Sequence, residues 1–267
     1  MGDIGDMVAE ALRAHGLTVQ LMPFAQNTLR DEQGFVRTLK QTLATCRPAM
    51  IWPIGHPMAL SRLVHGRRPD WLSPDILVPI AKPDVIERLD NKVACSRLAT
   101  ETDIPQPRFY AKADEVERWP VIFKRERSFG GSGVYRPYSA EALERLIANE
   151  KGRGYLIEEY IDGEDVSVDV VRWGNVCHGS CYRTLARIGR HGPATERAVC
   201  HRPDLVDYGR QLLEAAGFEG VCGMDFRVAA DGRVCFLECN PRFTGGVRAQ
   251  LEAGFDIPWT FYQSTSK

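Results

Sequence analysis

Apolar positions recur at helical spacing over residues 6–15, where Met7, Val8, Ala11 and Leu12 share a side and Gly16 stops the run. Residues 35–46 repeat the pattern. Between and after them, 18–24 and 49–55 read as strands, the second a buried run closing in a Pro/Gly loop. Helix after strand, repeated, predicts a small Rossmann-like parallel α/β unit over residues 1–82. The chain opens on Gly2-Asp3-Ile4-Gly5, a loop-to-helix signature with no strand ahead of it. Either the true start lies upstream, or the unit is truncated by its first strand.

Residues 76–80 form another strand, and 83–89 and 92–101 a helical stretch that stops at Ile104-Pro105-Gln106-Pro107. From Trp119 the texture changes to antiparallel hairpins. Residues 121–124 run into the glycine-rich Ser128-Phe129-Gly130-Gly131-Ser132-Gly133, and the chain continues from Val134. Residues 140–149 and 203–216 are helices, the second closed by Gly217. Residues 166–172 set Val166, Val168 and Val170 against Ser167, Asp169 and Val171, with a Gly174-Asn175 turn before a strand at 176–182. A last hairpin pairs 222–228 with 233–240 around Asp231-Gly232. The break in style puts the second domain at 83–267.

Composition narrows the class. Thirty-four Lys+Arg against 35 Asp+Glu leave a net charge of −1, which excludes bulk-charge binding of nucleic acid. No apolar run approaches a membrane span. The acidic MGDIGDMVAE start lacks a signal layout, and Asp6 breaks the myristoylation pattern. Eight Cys among 267 residues are too sparse for a disulfide scaffold and read as free thiols in a reducing cytoplasm.

The last hairpin carries the strongest chemistry. With Asp231-Gly232 as the turn, Ala230 faces Arg233, and counting outward puts Asp225 opposite Glu238. Two carboxylates about 4 Å apart repel by roughly 4 kcal/mol at an effective dielectric of 20, so something positive belongs between them. Asn240 and Arg242 continue the face of Glu238. Two carboxylates and an amide suit Mg²⁺ alongside phosphates; a surface ion network of Arg242, Glu238 and Asp225 is the alternative. Beside Lys124, the 128–133 loop can turn N–H groups toward an anion, although exposed hairpins are also rich in Gly and Ser. It is neither a Walker A loop nor a dinucleotide fingerprint, and Val134 breaks the Gly-x-Ser-x-Gly pattern. Tyr155-Leu156-Ile157-Glu158-Glu159-Tyr160-Ile161-Asp162-Gly163-Glu164-Asp165 is an apolar strand entering acids and a turn, which suits a polar ligand or a solvated turn equally. Cys177-His178, Cys181 and Cys200-His201 have irregular spacing for zinc, and His56 and the other histidines have no partners for a triad. Cys239 alternates to the core side.

Taken in order, Asp90-Asn91-Lys92, Ile104-Pro105-Gln106-Pro107, Val121-Ile122-Phe123-Lys124 with the 128–133 loop, Ile157–Asp165, Gly223-Met224-Asp225-Phe226 and Leu237-Glu238-Cys239-Asn240-Pro241-Arg242 resemble the ATP-grasp superfamily. The nearest branches are those of carbamoyl-phosphate synthase and D-alanine ligase. The resemblance implies an α+β fold in which two subdomains, a lid at about 107–158 and a core at about 159–267, hold ATP between them. It implies that Lys92 and Lys124 contact the phosphates and that Ser128, Gly130, Gly131, Ser132 and Gly133 close over them. Glu158 would meet the adenine amino group, Glu159 and Ile161 would read the ring edge through their backbone, Ile122 and Leu237 would form the apolar floor, and Asp165 would bind the ribose. Asp225, Glu238 and Asn240 would hold Mg²⁺, or Mn²⁺ in its place, and Arg242 would stabilise the transferring phosphoryl group. The implied reaction joins a small carboxylate to an amine through an acylphosphate in the cytoplasm, and a homodimer is compatible with it. A non-catalytic ATP-binding module and a phosphotransferase or carboxylase on the same fold are the alternatives. Arg183, Arg187, Arg190, His191 and Arg248 stay open as further phosphate or substrate contacts.

Overall fold

The computed structural model describes residues 4–22, 32–55, 57–128, 130–188 and 194–266. Gly2, Asp3, residues 23–24 of the expected first strand, His56, Phe129, Arg190 and His191 lie outside the described residues.

The chain opens on helices α1 (Ile4–Ala14), α2 (Glu32–Thr45) and α3 (Met58–His65), followed by α4 (Pro83–Asp90) and α5 (Lys92–Glu101). Short-range chemistry sets several helix ends. Asn91 caps α5 by accepting from the Ala94 N–H at 3.0 Å. Then come β1 (Phe109–Tyr110), β2 (Val121–Arg125), β3 (Val134–Tyr135), α6 (Ala140–Glu150) and β4 (Tyr155–Glu159). These strands pair antiparallel in the order β1-β4-β2-β3, with Phe123, Ile157 and Leu143 of α6 in their core. The long strands β5 (Gly163–Trp173) and β6 (Val176–Arg187), with β7 (Ala194–Cys200), lead to α7 (Pro203–Ala216). Strands β8 (Gly220–Ala229) and β9 (Val234–Asn240) and helices α8 (Val247–Glu252) and α9 (Ile257–Thr265) complete the chain. The second sheet is antiparallel in the order β7-β6-β5-β8-β9.

The alternation along β5 decides what this sheet covers. Val166, Val168 and Val170 pack with Leu205, Leu212 and Leu213 of α7 and with Ile86, Leu89, Cys95 and Leu98 of α4 and α5. Ser167 and Asp169 face the other way, although both are buried. Farther along that second face, Val171 joins Val8 and Leu12 of α1 and Phe243, Val247 and Phe261.

The first 82 residues differ from the expected parallel unit. Residues 18–21 alternate in exposure but pair with no strand among the described residues, and residues 49–55 and 76–80 meet in one parallel bridge, Met50 to Leu77. An alternating pattern orients side chains, whereas a strand needs a neighbour to take its N–H and C=O groups. Leu39 and Leu60 also lie in the same apolar cluster as β5, α4 and α7, so the packing runs without a break across residue 82. All eight cysteines are free. No helix among the described residues is long and apolar enough to cross a membrane.

Candidate active site

The β8–β9 hairpin sets Asp225 opposite Glu238 and Gly223 opposite Asn240, as the alternation requires, by a route the sequence does not announce. The Gly232 N–H donates to the Ala229 carbonyl and the Ala229 N–H to Arg233, so three residues span the turn, one more than expected. A β-bulge between Asp225 and Phe226 then restores the count, leaving Leu237 as the extra residue on β9. Below the bulge Phe226 pairs with Phe236, both in the core, and Arg227 pairs with Cys235 on the Asp225 side. Above it, Cys239 turns to the core.

The bulge also supplies an acceptor. The Leu237 carbonyl takes a hydrogen bond from Lys124 Nζ at 3.2 Å, joining the two sheets. Lys124 also pairs with Glu158 Oε2 at 2.7 Å, with both side chains almost wholly buried. Burial pushes the Glu158 carboxyl above its ordinary value despite the pull of Lys124. Lys92, set by the Asn91 cap, lies 3.2 Å from Glu238 Oε2 and donates to the Ser128 carbonyl at 2.7 Å. Burial would raise the Glu238 carboxyl, but Lys92 and Lys124, with help from Arg242, outweigh it and hold the group below its usual range. Asp225 goes the other way: burial and the charge of Glu238 push it up to about 6, although Ser167 Oγ donates to it at 2.5 Å.

That pair of carboxylates could hold a cation. The donor set is two carboxylates and the Asn240 amide, which fits Mg²⁺ completed by phosphate oxygens. Among the described residues no group of three or more His, Cys, Asp or Glu surrounds a metal position. Arg242 closes this end, its Nη2 donating to Asn240 Oδ1 at 2.9 Å and its Nη1 to the Phe243 carbonyl at 3.3 Å.

At the other end, Ile122 lies across the ladder from Glu158 on the Lys124 side of β2. Ile161 is buried, and its N–H has no hydrogen-bond partner among the described residues. Glu159 points away from Glu158 into a two-pronged pair with Arg233 at 2.9 and 3.1 Å, which lowers its pKa, and its N–H donates to the Arg108 carbonyl. Asp165 pairs with Arg227 at 2.7 Å and with Arg187. In the loop, Gly130, Gly131 and Gly133 take left-handed φ values of 61°, 78° and 78°, and the buried Ser128 Oγ has no hydrogen-bond partner among the described residues.

Strand register sorts the remaining basic residues. Arg183 lies across from Val166, a core residue, and so faces away from the carboxylates. Arg187 reaches Asp165 on their side, Arg248 is exposed on α8, and Arg190 is outside the described residues. Four site neighbours went unnoticed in the sequence. Arg227 stands at i+2 from Asp225, so alternation alone reaches it, whereas Cys235 is hidden by the bulge. Arg197 on β7 lies opposite Thr184, two residues from Tyr182 on the same face. Asp169 is buried and accepts from Thr244 Oγ1 at 2.9 and 3.0 Å and from Gln250 Nε2 at 3.1 Å. Burial, with only partial relief from Thr244, pushes its carboxyl up to about 7.

Two antiparallel sheets bridged by buried lysines, with a carboxylate and an amide on the last strand and an arginine just past its end, define a class. A family model described as "ATP-grasp in the biosynthetic pathway with Ter operon" matches residues 152–267. Over those residues the chain matches the ATP-grasp superfamily. It is 28% identical over 179 residues to the carbamoyl phosphate synthase large chain of Thermomicrobium roseum, a match that takes in 60% of this chain and 16% of that one. The fold also matches the biotin carboxylase domain of 2-oxoglutarate carboxylase from Hydrogenobacter thermophilus, solved with MgADP and bicarbonate, at a TM-score of 0.74 and 16% identity over 98% of this chain and 67% of that one. An L-amino acid ligase from Bacillus licheniformis matches at 0.70 and 15% identity over 99% and 72%.

Proposed function

We propose that this chain is an ATP- and Mg²⁺-dependent carboxylate–amine ligase that works through an acylphosphate in the cytoplasm. The observation that carries the reading is the convergence of Lys92, Lys124, Asp225, Glu238, Asn240 and Arg242 on one junction between two sheets. In this reading the junction divides a lid at 107–158 from a core at 159–267, with 1–82 as a preceding unit.

Lys92 and Lys124 exchange their carboxylate partners for the phosphates of ATP. Glu158, freed from Lys124, accepts from the adenine amino group, while the Ile161 N–H and the Glu159 backbone read the ring edge between Ile122 and Leu237. Asp165 takes the ribose hydroxyls, and Ser128, Gly130, Gly131, Ser132 and Gly133 cover the phosphates. Asp225, Glu238 and Asn240 would hold Mg²⁺, or Mn²⁺ in its place, and the bound ion would neutralise phosphate charge. A substrate carboxylate oxygen bonds to the γ-phosphorus as the bond to the ADP oxygen breaks. The amine nitrogen then bonds to the carbonyl carbon, phosphate leaves with the bonding pair, and the nitrogen loses a proton. Arg242 is placed to stabilise the charge that develops on the transferred group.

The test is ADP and phosphate release by the purified protein with MgATP and pooled carboxylic and amino acids. Release that needs two pool members, with a product mass equal to their sum less water, is expected. Glu238→Gln and Arg242→Ala each lower the rate by roughly 10²–10³; near-normal activity in either removes the site assignment. The match to a carboxylase solved with bicarbonate makes carboxylation the rival, recognised by bicarbonate dependence without amide formation.

A further inference from the structure

Of the arginines on the carboxylate side of the second sheet, Arg187 and Arg227 pair with Asp165, and Arg242 is held by Asn240. Arg197 forms no ion pair with any described carboxylate, yet its position is built with care. Its guanidinium fills the space beside Gly245: a Cβ there would stand 2.9 Å from Nη2, 3.4 Å from Cζ and 3.6 Å from Nη1. On its other side it approaches the Tyr182 ring, with Cζ 5.9 Å from the centroid. Tyr182 is fixed in turn, with its hydroxyl 2.9 Å from Thr244 Oγ1 and its ring filling the space a Cβ on Gly246 would need, 2.2 Å away. Thr244-Gly245-Gly246 is therefore a seat for Tyr182 and Arg197, beginning two residues after Arg242. The nearby acid, Asp169, is committed to Thr244 and Gln250.

A half-buried guanidinium seated this tightly, with no ion-pair partner among the described residues, is poised for an external anion. A single planar fork matches a carboxylate, and the ATP phosphates already have two lysines and the cation site. We propose that Arg197 receives a carboxylate of the amine-bearing substrate, so that the acceptor is an α-amino acid or short peptide whose amine is directed toward the Arg242 end of the cleft. This rests on the ligase reading and adds the class of its second substrate.

The experiment compares wild type, Arg197→Gln and Arg197→Lys with MgATP and pooled carboxylic acids. The acceptors are free amino acids, the same amino acids as C-terminal amides, or hydroxylamine, which carries no carboxylate. In wild type the free acids are expected to show a KM roughly 10–100-fold below their amides. Arg197→Gln erases that difference and leaves hydroxylamine-dependent ADP release and the KM for ATP unchanged, while Arg197→Lys restores part of it. Equal preference for acids in wild type and Arg197→Gln overturns the assignment. So does a loss of ATP affinity in Arg197→Gln with ADP affinity retained, which would give the arginine to the γ-phosphate. No hydroxylamine-dependent ADP release even in wild type overturns the ligase reading, and this one with it.

Discussion

Lys124 and Glu158 pair where both side chains are almost wholly buried, so each is the other's counter-charge. Removing one partner of such a pair leaves an uncompensated buried ion and costs about 3–5 kcal/mol, whereas replacing both with apolar groups of similar size is near neutral. Lys124→Ala is expected to lose stability in that range in urea unfolding, and Lys124→Met with Glu158→Leu to recover most of it without recovering ATP binding. Recovery of both would detach the pair from the nucleotide. Asp169 makes a second test at this scale. Burial holds its carboxyl at about 7, against 3.8 for the free group. Between those values the folded protein keeps a proton that the unfolded chain releases, so this group's contribution falls as pH rises from about 4 to 7. Asp169→Asn should lack that decline; parallel pH profiles for the two proteins would contradict the assignment.

Among the elements, the β8–β9 hairpin shows how much a sequence reveals and how. Asp-Gly and the alternation around it lead to the right carboxylate pair, but a turn one residue longer and a bulge one residue later cancel each other. Neither has a signal of its own, so Cys235 and the freed Leu237 carbonyl stayed hidden. Deleting Leu237 would remove the bulge while keeping the turn and the Asp225–Glu238 pairing, and would take away the carbonyl that accepts from Lys124. The expected result is a folded but less stable protein that MgATP no longer protects against heat. Undiminished protection would mean that the bulge carbonyl does not position Lys124 for the nucleotide. Helix ends were easier to read, because Asn91 and Gly217 act on their own neighbours. Residues 18–22 were not, because a strand is defined by a partner that the local pattern cannot name.

For the whole molecule, order along the chain carried more than any one motif. The glycine loop, the paired acids and the last hairpin each had an ordinary explanation, and their sequence of occurrence pointed to one fold. What order could not convey is packing between distant segments. Val8 and Leu12 of the first helix pack with Phe243, next to Arg242, and with Phe261 near the other end. The first 82 residues therefore share the core that supports the site, in place of forming the separate parallel unit their pattern suggested. The claim that unites these scales is that the junction between the sheets activates a carboxylate with ATP. The direct measurement is capture of the acylphosphate: protein, MgATP, pooled carboxylic acids and hydroxylamine, with ADP and acyl hydroxamate followed together by mass spectrometry. The account predicts ADP and hydroxamate in equal amounts from wild type and neither from Glu238→Gln. ADP formed without hydroxamate, or ATP bound and never cleaved, would contradict it.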